Sequence, residues 1–361
     1  MTKLDRFFEE LARTEYDAAL ISSQINQRYI SGFKYTSGYI LITRKKAYLL
    51  ADFRYIEAAR NSLAGTKFEV IMPEGGMLSE LSCLLEENGI KSLMIEDEAV
   101  SFAEQKRYAR FFTDKVTIVP GASAILSKMR EVKTADELAL IEKAQNITDA
   151  AFDHILKVMT PSMTEVELAL ELEFFMRRNG AENVAFGTIA VSGDTSSMPH
   201  GDAQNRRLQR GFLTMDFGAL YEGYCADMTR TVVIGKADED MKRLYNTVLT
   251  AQKAALAMFG EGVSCYELDK CARDIIEGAG YTGCFGHSLG HGVGMVVHES
   301  PRLASSANRE SVLVRGNVTS CEPGIYVSGK YGCRIEDLVA IDLDGSVKNL
   351  TKSPKELIEL F

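Results

Sequence analysis

The sequence predicts an α+β protein built from a smaller α/β domain over residues 1–125 and a larger, pseudo-twofold domain over residues 126–361. Three observations predict it. In the first third, short apolar runs at 18–21, 39–42, 48–50, 68–72 and 93–95 alternate with amphipathic or polar segments, the pattern of a small α/β unit. VPGASA (residues 119–124) then interrupts, which puts a domain boundary between about residues 120 and 133. Beyond it, the order helix, helix, strands occurs twice.

Taken in order, MTKLDRFFEELARTEYD reads as an amphipathic first helix. The first long helix after the boundary spans 135–159, and Thr134 with Glu137 forms a capping box at its start. A second box, Thr164 with Glu167, opens the next helix, which ends at Asn179 and Gly180. Strands follow. The second pass has a helix over 239–259 and another opened by Ser264 and Glu267 that closes near 278–280. A site built from both halves would lie between them.

Composition excludes several classes. The chain has 361 residues, 46% hydrophobic and 25% charged, with a net charge of −9, which suits a soluble protein and not a nucleic-acid surface. No apolar run approaches the roughly 18 residues needed to span a bilayer, and no basic-plus-apolar leader opens the chain. The seven cysteines (Cys83, Cys225, Cys265, Cys271, Cys284, Cys321 and Cys333) never form CxxC. They read as reduced thiols of a cytoplasmic protein, and a zinc-ribbon reading fails.

The stretch MDFGALYEGYCADMTRT (residues 215–231) reads as a hairpin with Asp216 on one strand and Asp227 on the other. With the turn centred on Tyr221 and Glu222, the two Asp oppose each other directly, with Cβ atoms roughly 4.5–5.5 Å apart. Two bare carboxylates that close repel by about 3–4 kcal/mol at an effective dielectric near 20. Either one is protonated or a cation lies between them; slipped register or solvent-facing side chains are the bland alternatives. A second hairpin, SCEPGIYVSGKYGCRIEDLV (residues 320–339), places Glu322 and Glu336 symmetrically about Gly329. Two hairpins that each supply a pair of carboxylates suggest a metal centre, and four such charges balance two divalent cations.

Of the five histidines, His154 sits in a plain helical pattern and reads as structural or exposed. The others are His200, His287, His291 and His298. His287 and His291 are four apart, but the zinc-helix Glu is absent and Gly290, Gly292 and Gly294 disfavour a helix. One His with carboxylates suits Mn²⁺, Co²⁺, Fe²⁺ or Zn²⁺.

The motifs PHG, DFGALYEGYCADMTRT, HSLGHGVG, VHESPR, EPGIY and GCRIED together resemble those of the aminopeptidase P/prolidase branch of the metallopeptidase family with the pita-bread fold. The resemblance is dense from about residue 130 onward. It is looser over the first third, which resembles that branch's creatinase-type N-terminal domain. It implies that Asp216, Asp227, His291, Glu322 and Glu336 bind two divalent ions, Mn²⁺ ahead of Co²⁺, Zn²⁺ or Fe²⁺, with Asp227 and Glu336 bridging. It implies catalytic roles for His200, His298 and Glu322, and substrate contacts for His287 and Arg302, although a plain surface charge accounts equally for Arg302. Thr229 and Arg334 would stand behind the ligands, Arg334 orienting carboxylates. Cys225 shares a strand face with Asp227, and a buried apolar role suits it better than ligation. Ser320, Cys321 and Cys333 depart from the family's usual residues, Ser320 keeping a hydroxyl.

The implied reaction is hydrolysis of the bond before proline, a tertiary amide without an N–H. The implied activity is an Xaa-Pro aminopeptidase acting on a peptide with proline second, and a homodimer is the expected assembly. The alternatives are an Xaa-Pro dipeptidase and, remotely, a non-catalytic scaffold relative.

Overall fold

Thr2 opens the first helix, α1 (Lys3–Ala12), with a reciprocal cap: its hydroxyl accepts from Asp5 N and the Asp5 carboxylate accepts from Thr2 N. The computed structural model describes residues 1–112 and 116–361, and the chain divides into two units, Met1–Met129 and Arg130–Phe361. In the first, α1 is followed by β1 (Ala18–Ile21), α2 (Gln24–Ser31), β2 (Gly38–Thr43), β3 (Ala47–Ala51) and α3 (Ile56–Ser62). Then come β4 (Phe68–Ile71), α4 (Met77–Glu87), β5 (Ser92–Ile95), α5 (Phe102–Phe111), β6 (Thr117–Pro120) and α6 (Ala122–Glu131). The strands form one mixed sheet, β4–β3–β2–β1–β5–β6. Leu20, Leu41, Leu50, Leu81, Leu93 and Tyr108 are buried in its core. VPGASA is no plain interruption: Val119 and Pro120 end β6, and Ala122 begins α6.

The second unit repeats one design. Helices α7 (Ala135–Val158) and α8 (Glu165–Arg178) precede β7 (Asn183–Val184), β8 (Ile189–Ser192) and a 3₁₀ turn, Gly193–Ser197. Strands β9 (Gly211–Phe217), β10 (Ala219–Tyr221), β11 (Tyr224–Cys225) and β12 (Met228–Ile234) follow. The second pass has α9 (Glu239–Met258), α10 (Cys265–Gly278), β13 (Gly290–Gly292) and β14 (Glu299–Leu303). It ends with β15 (Val318–Cys321), β16 (Gly324–Val327), β17 (Tyr331–Arg334), β18 (Asp337–Ile341), β19 (Val347–Asn349) and β20 (Glu359–Leu360).

Each half has its own core. Phe152, Leu168, Leu172 and Met176 of α7 and α8 pack with Leu213, Met215 and Val232 of the first hairpin. Leu244, Val248, Leu268 and Ile276 of α9 and α10 pack with Cys321, Ile325 and Val339 of the second. The helix starts match the expected caps with one exception. Thr134 and Thr164 make full capping boxes. Ser264 occupies the corresponding position before α10 but makes no cap bond, because its hydroxyl donates to Arg309 O.

The hairpins carry the carboxylates, and one register differs from the expectation. In the second, Gly324 opposes Arg334 and Cys321 opposes Asp337, so Glu322 and Glu336 are symmetric about Gly329 as expected. In the first, Tyr221 opposes Tyr224 and Asp216 opposes Thr229, not Asp227. The cause is the turn. Glu222 and Gly223 both have positive φ, 47° and 89°, which makes a two-residue type I′ turn centred between them. Relative to a turn centred on Tyr221 and Glu222, the pairing moves by two residues, and an even shift leaves every side chain on its expected face. Asp227 is therefore a diagonal neighbour of Asp216.

Between the two parts of this hairpin lies Gly218, where a Cβ would come within 1.9 Å of Ala226 O. Gly218→Ala must part the strands beside both Asp, so a loss of about 1–3 kcal/mol in stability is expected, the range for overpacking, read from the denaturant midpoint.

Candidate metal centre

Asp216 leaves the end of β9, and Asp227 sits in the bend between β11 and β12. Glu322 follows β15, and Glu336 lies between β17 and β18. His291 is the centre of β13. Carboxylate oxygens of Asp216, Asp227 and Glu336 lie within 4.8 Å of one another. His291 Nε2 is 3.1 Å from Glu322 Oε1 and 3.7 Å from Asp227 Oδ2. All five expected ligands thus converge. His291 Nδ1 donates to Gly292 O at 3.2 Å, which fixes the tautomer and turns Nε2 toward the carboxylates. Ser320 links two of them: its hydroxyl accepts from His291 N and donates to Glu322 Oε1, each at 3.0 Å.

Arg334 is the organising cation. Its Nη2 donates to Asp216 Oδ2, Nε to Thr229 Oγ1 at 2.8 Å, and Nη1 to Tyr326 OH at 2.7 Å and Pro199 O at 3.2 Å. Thr229 in turn donates to Glu336 Oε2 at 2.7 Å. Tyr326 was not anticipated from sequence. It opposes Gly332 across the second hairpin, two residues along from the Gly324–Arg334 pair, so strand alternation about Gly329 places it on the Arg334 face.

Asp216, Asp227, His291, Glu322, Arg334, His200, His287, His298 and Arg302 all line one cavity of about 300 Å³. Phe186, Ile189 and Val297 add an apolar wall to it. His200, His298 and Arg302 are exposed on its rim. Both ring nitrogens of His287 are engaged, Nδ1 donating to Ser288 O at 2.8 Å and Nε2 accepting from Tyr326 OH at 3.1 Å. His287 therefore meets the cavity through carbon, and a polar substrate contact from it is not available in this arrangement. Cys225 turns its thiol toward Met295 O, and burial pushes that thiol up to about 12. His154 pairs with Glu171 and stacks on Phe175, a structural role.

The electrostatics ask for cations. Burial, and then the charges of Glu336, Asp216 and Glu322, push Asp227 well above the carboxylate range. Burial, Glu322 and Asp216 do the same to Glu336. Asp216 is raised by burial against the opposing pull of Arg334. Burial acts upward on Glu322 also, but the His291 hydrogen bond and charge outweigh it and hold it at about 2. His291 is raised correspondingly: burial lowers it, and Glu322 more than compensates. His298 is lowered by burial and by the charge of His291, so its ring is neutral at pH 7. Two buried oxygens, Asp216 Oδ1 and Glu336 Oε1, have no hydrogen-bond partner. Unpartnered carboxylate oxygens beside one imidazole nitrogen make a donor set that fits divalent ions.

A family model described as Metallopeptidase family M24 matches residues 139–342, more than half of the chain. The chain belongs to this family. Residues 3–132 match the Creatinase/Prolidase N-terminal domain. An Xaa-Pro dipeptidase of Pyrococcus horikoshii is 40% identical over 360 residues, 99% of this chain and 98% of the relative. The solved Xaa-Pro dipeptidase from Bacillus anthracis superimposes with a TM-score of 0.93 at 37% identity, covering 99% of each chain. An X-Pro aminopeptidase from Thermotoga maritima gives a TM-score of 0.89 at 37% identity, covering 98% of this chain and all of that one. The M24 unit is thus a pita-bread fold preceded by a smaller α/β unit, and M24 membership implies divalent metal ions. Among the described residues, no helix is long and apolar enough to cross a membrane.

Three outcomes are expected. Asp227→Asn should lose at least half of the bound metal, measured by elemental analysis of the folded variant. Metal uptake should release protons, because Asp227 and Glu336 are raised and must ionise to act as ligands. Affinity therefore rises with pH, checked by titration calorimetry in buffers of different ionisation enthalpy. For the metal-free chain the sign is opposite. The raised groups bind more protons folded than unfolded, so stability falls as pH climbs from about 4 toward the raised values.

Proposed function

We propose that this chain is an Xaa-Pro dipeptidase, hydrolysing the bond between a free first residue and a C-terminal proline. The observation that carries the reading is the Arg302 cation on the rim of a cavity of about 300 Å³ that Asp216, Asp227 and Glu322 also line. That volume is at the small end for ligand pockets, and a cation there can take the free carboxylate that a dipeptide presents. The relatives support it: Xaa-Pro dipeptidases match at 37–40% identity over nearly the whole chain. The aminopeptidase activity expected from sequence gives way to this alternative. It keeps one specific support, the likeness to the Thermotoga maritima aminopeptidase.

In this reading Asp216, Asp227, His291, Glu322 and Glu336 would hold two divalent ions. The oxygen-rich set with one imidazole suits Mn²⁺ or Co²⁺ over a thiolate-loving metal. Such ions acidify water and polarise the scissile carbonyl. The remaining work falls to the chain. Glu322, ionised near neutral pH, accepts the proton of the attacking water and delivers it to the departing proline nitrogen. Neutral His298 donates to the carbonyl oxygen as charge develops there. His200 lines the rim, and Arg302 holds the proline carboxylate. Phe186, Ile189 and Val297 exclude water and favour an apolar first residue. A homodimer in the cytoplasm completes the proposal; none of the seven thiols is in a disulfide, which suits a reducing compartment.

With Mn²⁺ or Co²⁺ supplied, Met-Pro should be cleaved at least tenfold more efficiently than Met-Pro-Ala, a gap of about 1.4 kcal/mol. Arg302→Ala should raise KM for Met-Pro and leave kcat nearly unchanged. Faster cleavage of the tripeptide would restore the aminopeptidase reading, and cleavage of neither would remove both.

A further inference from the structure

Glu299 stands between His298 and the segment that carries Arg302, yet its side chain does not face the cavity. Its Oε1 lies 2.8 Å from Lys133 Nζ and its Oε2 lies 3.4 Å from Arg130 Nε. The Lys133 and Glu299 side chains are 1% and 4% exposed. An ion pair this deeply buried is costly to assemble and adds little stability over an apolar pair, so a geometric role accounts for it better than a stabilising one.

The local backbone shows what that geometry is. Glu299 opposes Gly292, whereas Arg302 opposes His291, so β14 gains two residues, Ser300 and Pro301, against a single step of β13. An irregularity of this kind re-aims the side chains beside it, and here those are His298 and Arg302. Glu299 is the fixed end of the irregularity. Room for its carboxylate comes from Gly294, where a Cβ would lie 2.2 Å from Glu299 Oε1. Lys133 is itself anchored, its N–H donating to Gly316 O at 2.9 Å. Gly316, at φ 85°, has no space for a side chain against the Lys133 backbone. Gly316 N in turn donates to Ile341 O of β18, the strand that follows Glu336. The anchor of His298 and Arg302 is thereby tied to the strand framework that carries the carboxylates.

We propose that the buried Lys133–Glu299 pair is a positioning device that sets His298 and Arg302 relative to the carboxylate cluster. This rests on the dipeptidase reading for the roles of those two residues, but the geometry of the pair does not. The two positioned groups act at different stages, Arg302 on the bound dipeptide and His298 on the developing oxyanion, so losing the pair harms binding and turnover together.

The test compares metal-loaded wild type with Lys133→Met and with Lys133→Arg, which keeps the charge but moves the donor. For Met-Pro, Lys133→Met should raise KM about tenfold and lower kcat about a hundredfold, the scale for a misplacement near 1 Å, at wild-type metal content. Lys133→Arg should show smaller changes in both. A variant that merely folds less well loses kcat with KM intact, and that result in both variants overturns the proposal. An independent readout is the Cε1–H resonance of His298 in the Zn²⁺-loaded chain, resolved among five histidines. It should move in either variant while that of His154 stays fixed; an unmoved His298 resonance overturns the proposal. If wild type cleaves no Xaa-Pro dipeptide, the dipeptidase reading fails, and the resonance alone decides the role of the pair.

Discussion

Three buried carboxylates whose oxygens lie within 4.8 Å of one another are the constraint around which the second unit is organised. At that separation each like-charge contact costs about 3–4 kcal/mol at an effective dielectric near 20. Arg334 supplies one positive charge, which it spends on Asp216, and His291 supplies another when protonated against Glu322. Asp227 and Glu336 are left without a cation of their own, and burial with mutual repulsion raises both. A protein carries such an imbalance when something absent from its own side chains completes it, and divalent ions do so with the right charge and donor preference.

The framework behind the cluster is held by hydrogen bonds and buried ion pairs. Strand alternation sends Thr229 and Glu336 toward the site and their neighbours Arg230 and Asp337 to the opposite face. There Arg230 Nη2 pairs with Asp337 Oδ1 at 2.8 Å, and Lys355 Nζ lies 2.6 Å from Asp337 Oδ2. Arg230 also donates to Ser353 O and Pro354 O, which holds the final segment against the hairpins. Two pairs of residues adjacent in sequence therefore do opposite jobs. The inward members present oxygen to the site, and the outward members fix the strands that present it. Preorganised side chains lose little order when they bind an ion, which suits a site built at strand ends and in the short bends beside them.

Much of this was legible in the sequence, for reasons that differ by residue. Three of the four helices of the M24 unit were readable from capping pairs, because a cap is a local interaction between residues three apart. Ser264 shows the limit: the sequence pattern is present, but a distant carbonyl, Arg309 O, takes the hydroxyl. Gly329 centres the second hairpin, so Glu322 and Glu336 were correctly paired. The first hairpin was displaced by two residues because Glu222, a residue with no preference for positive φ, occupies a left-handed turn position. Face sharing survived because the displacement is even. Tyr326 and the Lys133–Glu299 pair were not anticipated. The first needed the register of its hairpin, and the second joins residues 166 apart in sequence that no local pattern connects.

The central claim is that the two hairpins and His291 together would hold two divalent ions. Anomalous X-ray diffraction at the manganese edge, from crystals grown with Mn²⁺, tests it directly. The account predicts two anomalous peaks, both within bonding distance of Asp227 and Glu336. A single peak, or peaks away from these carboxylates, would contradict it.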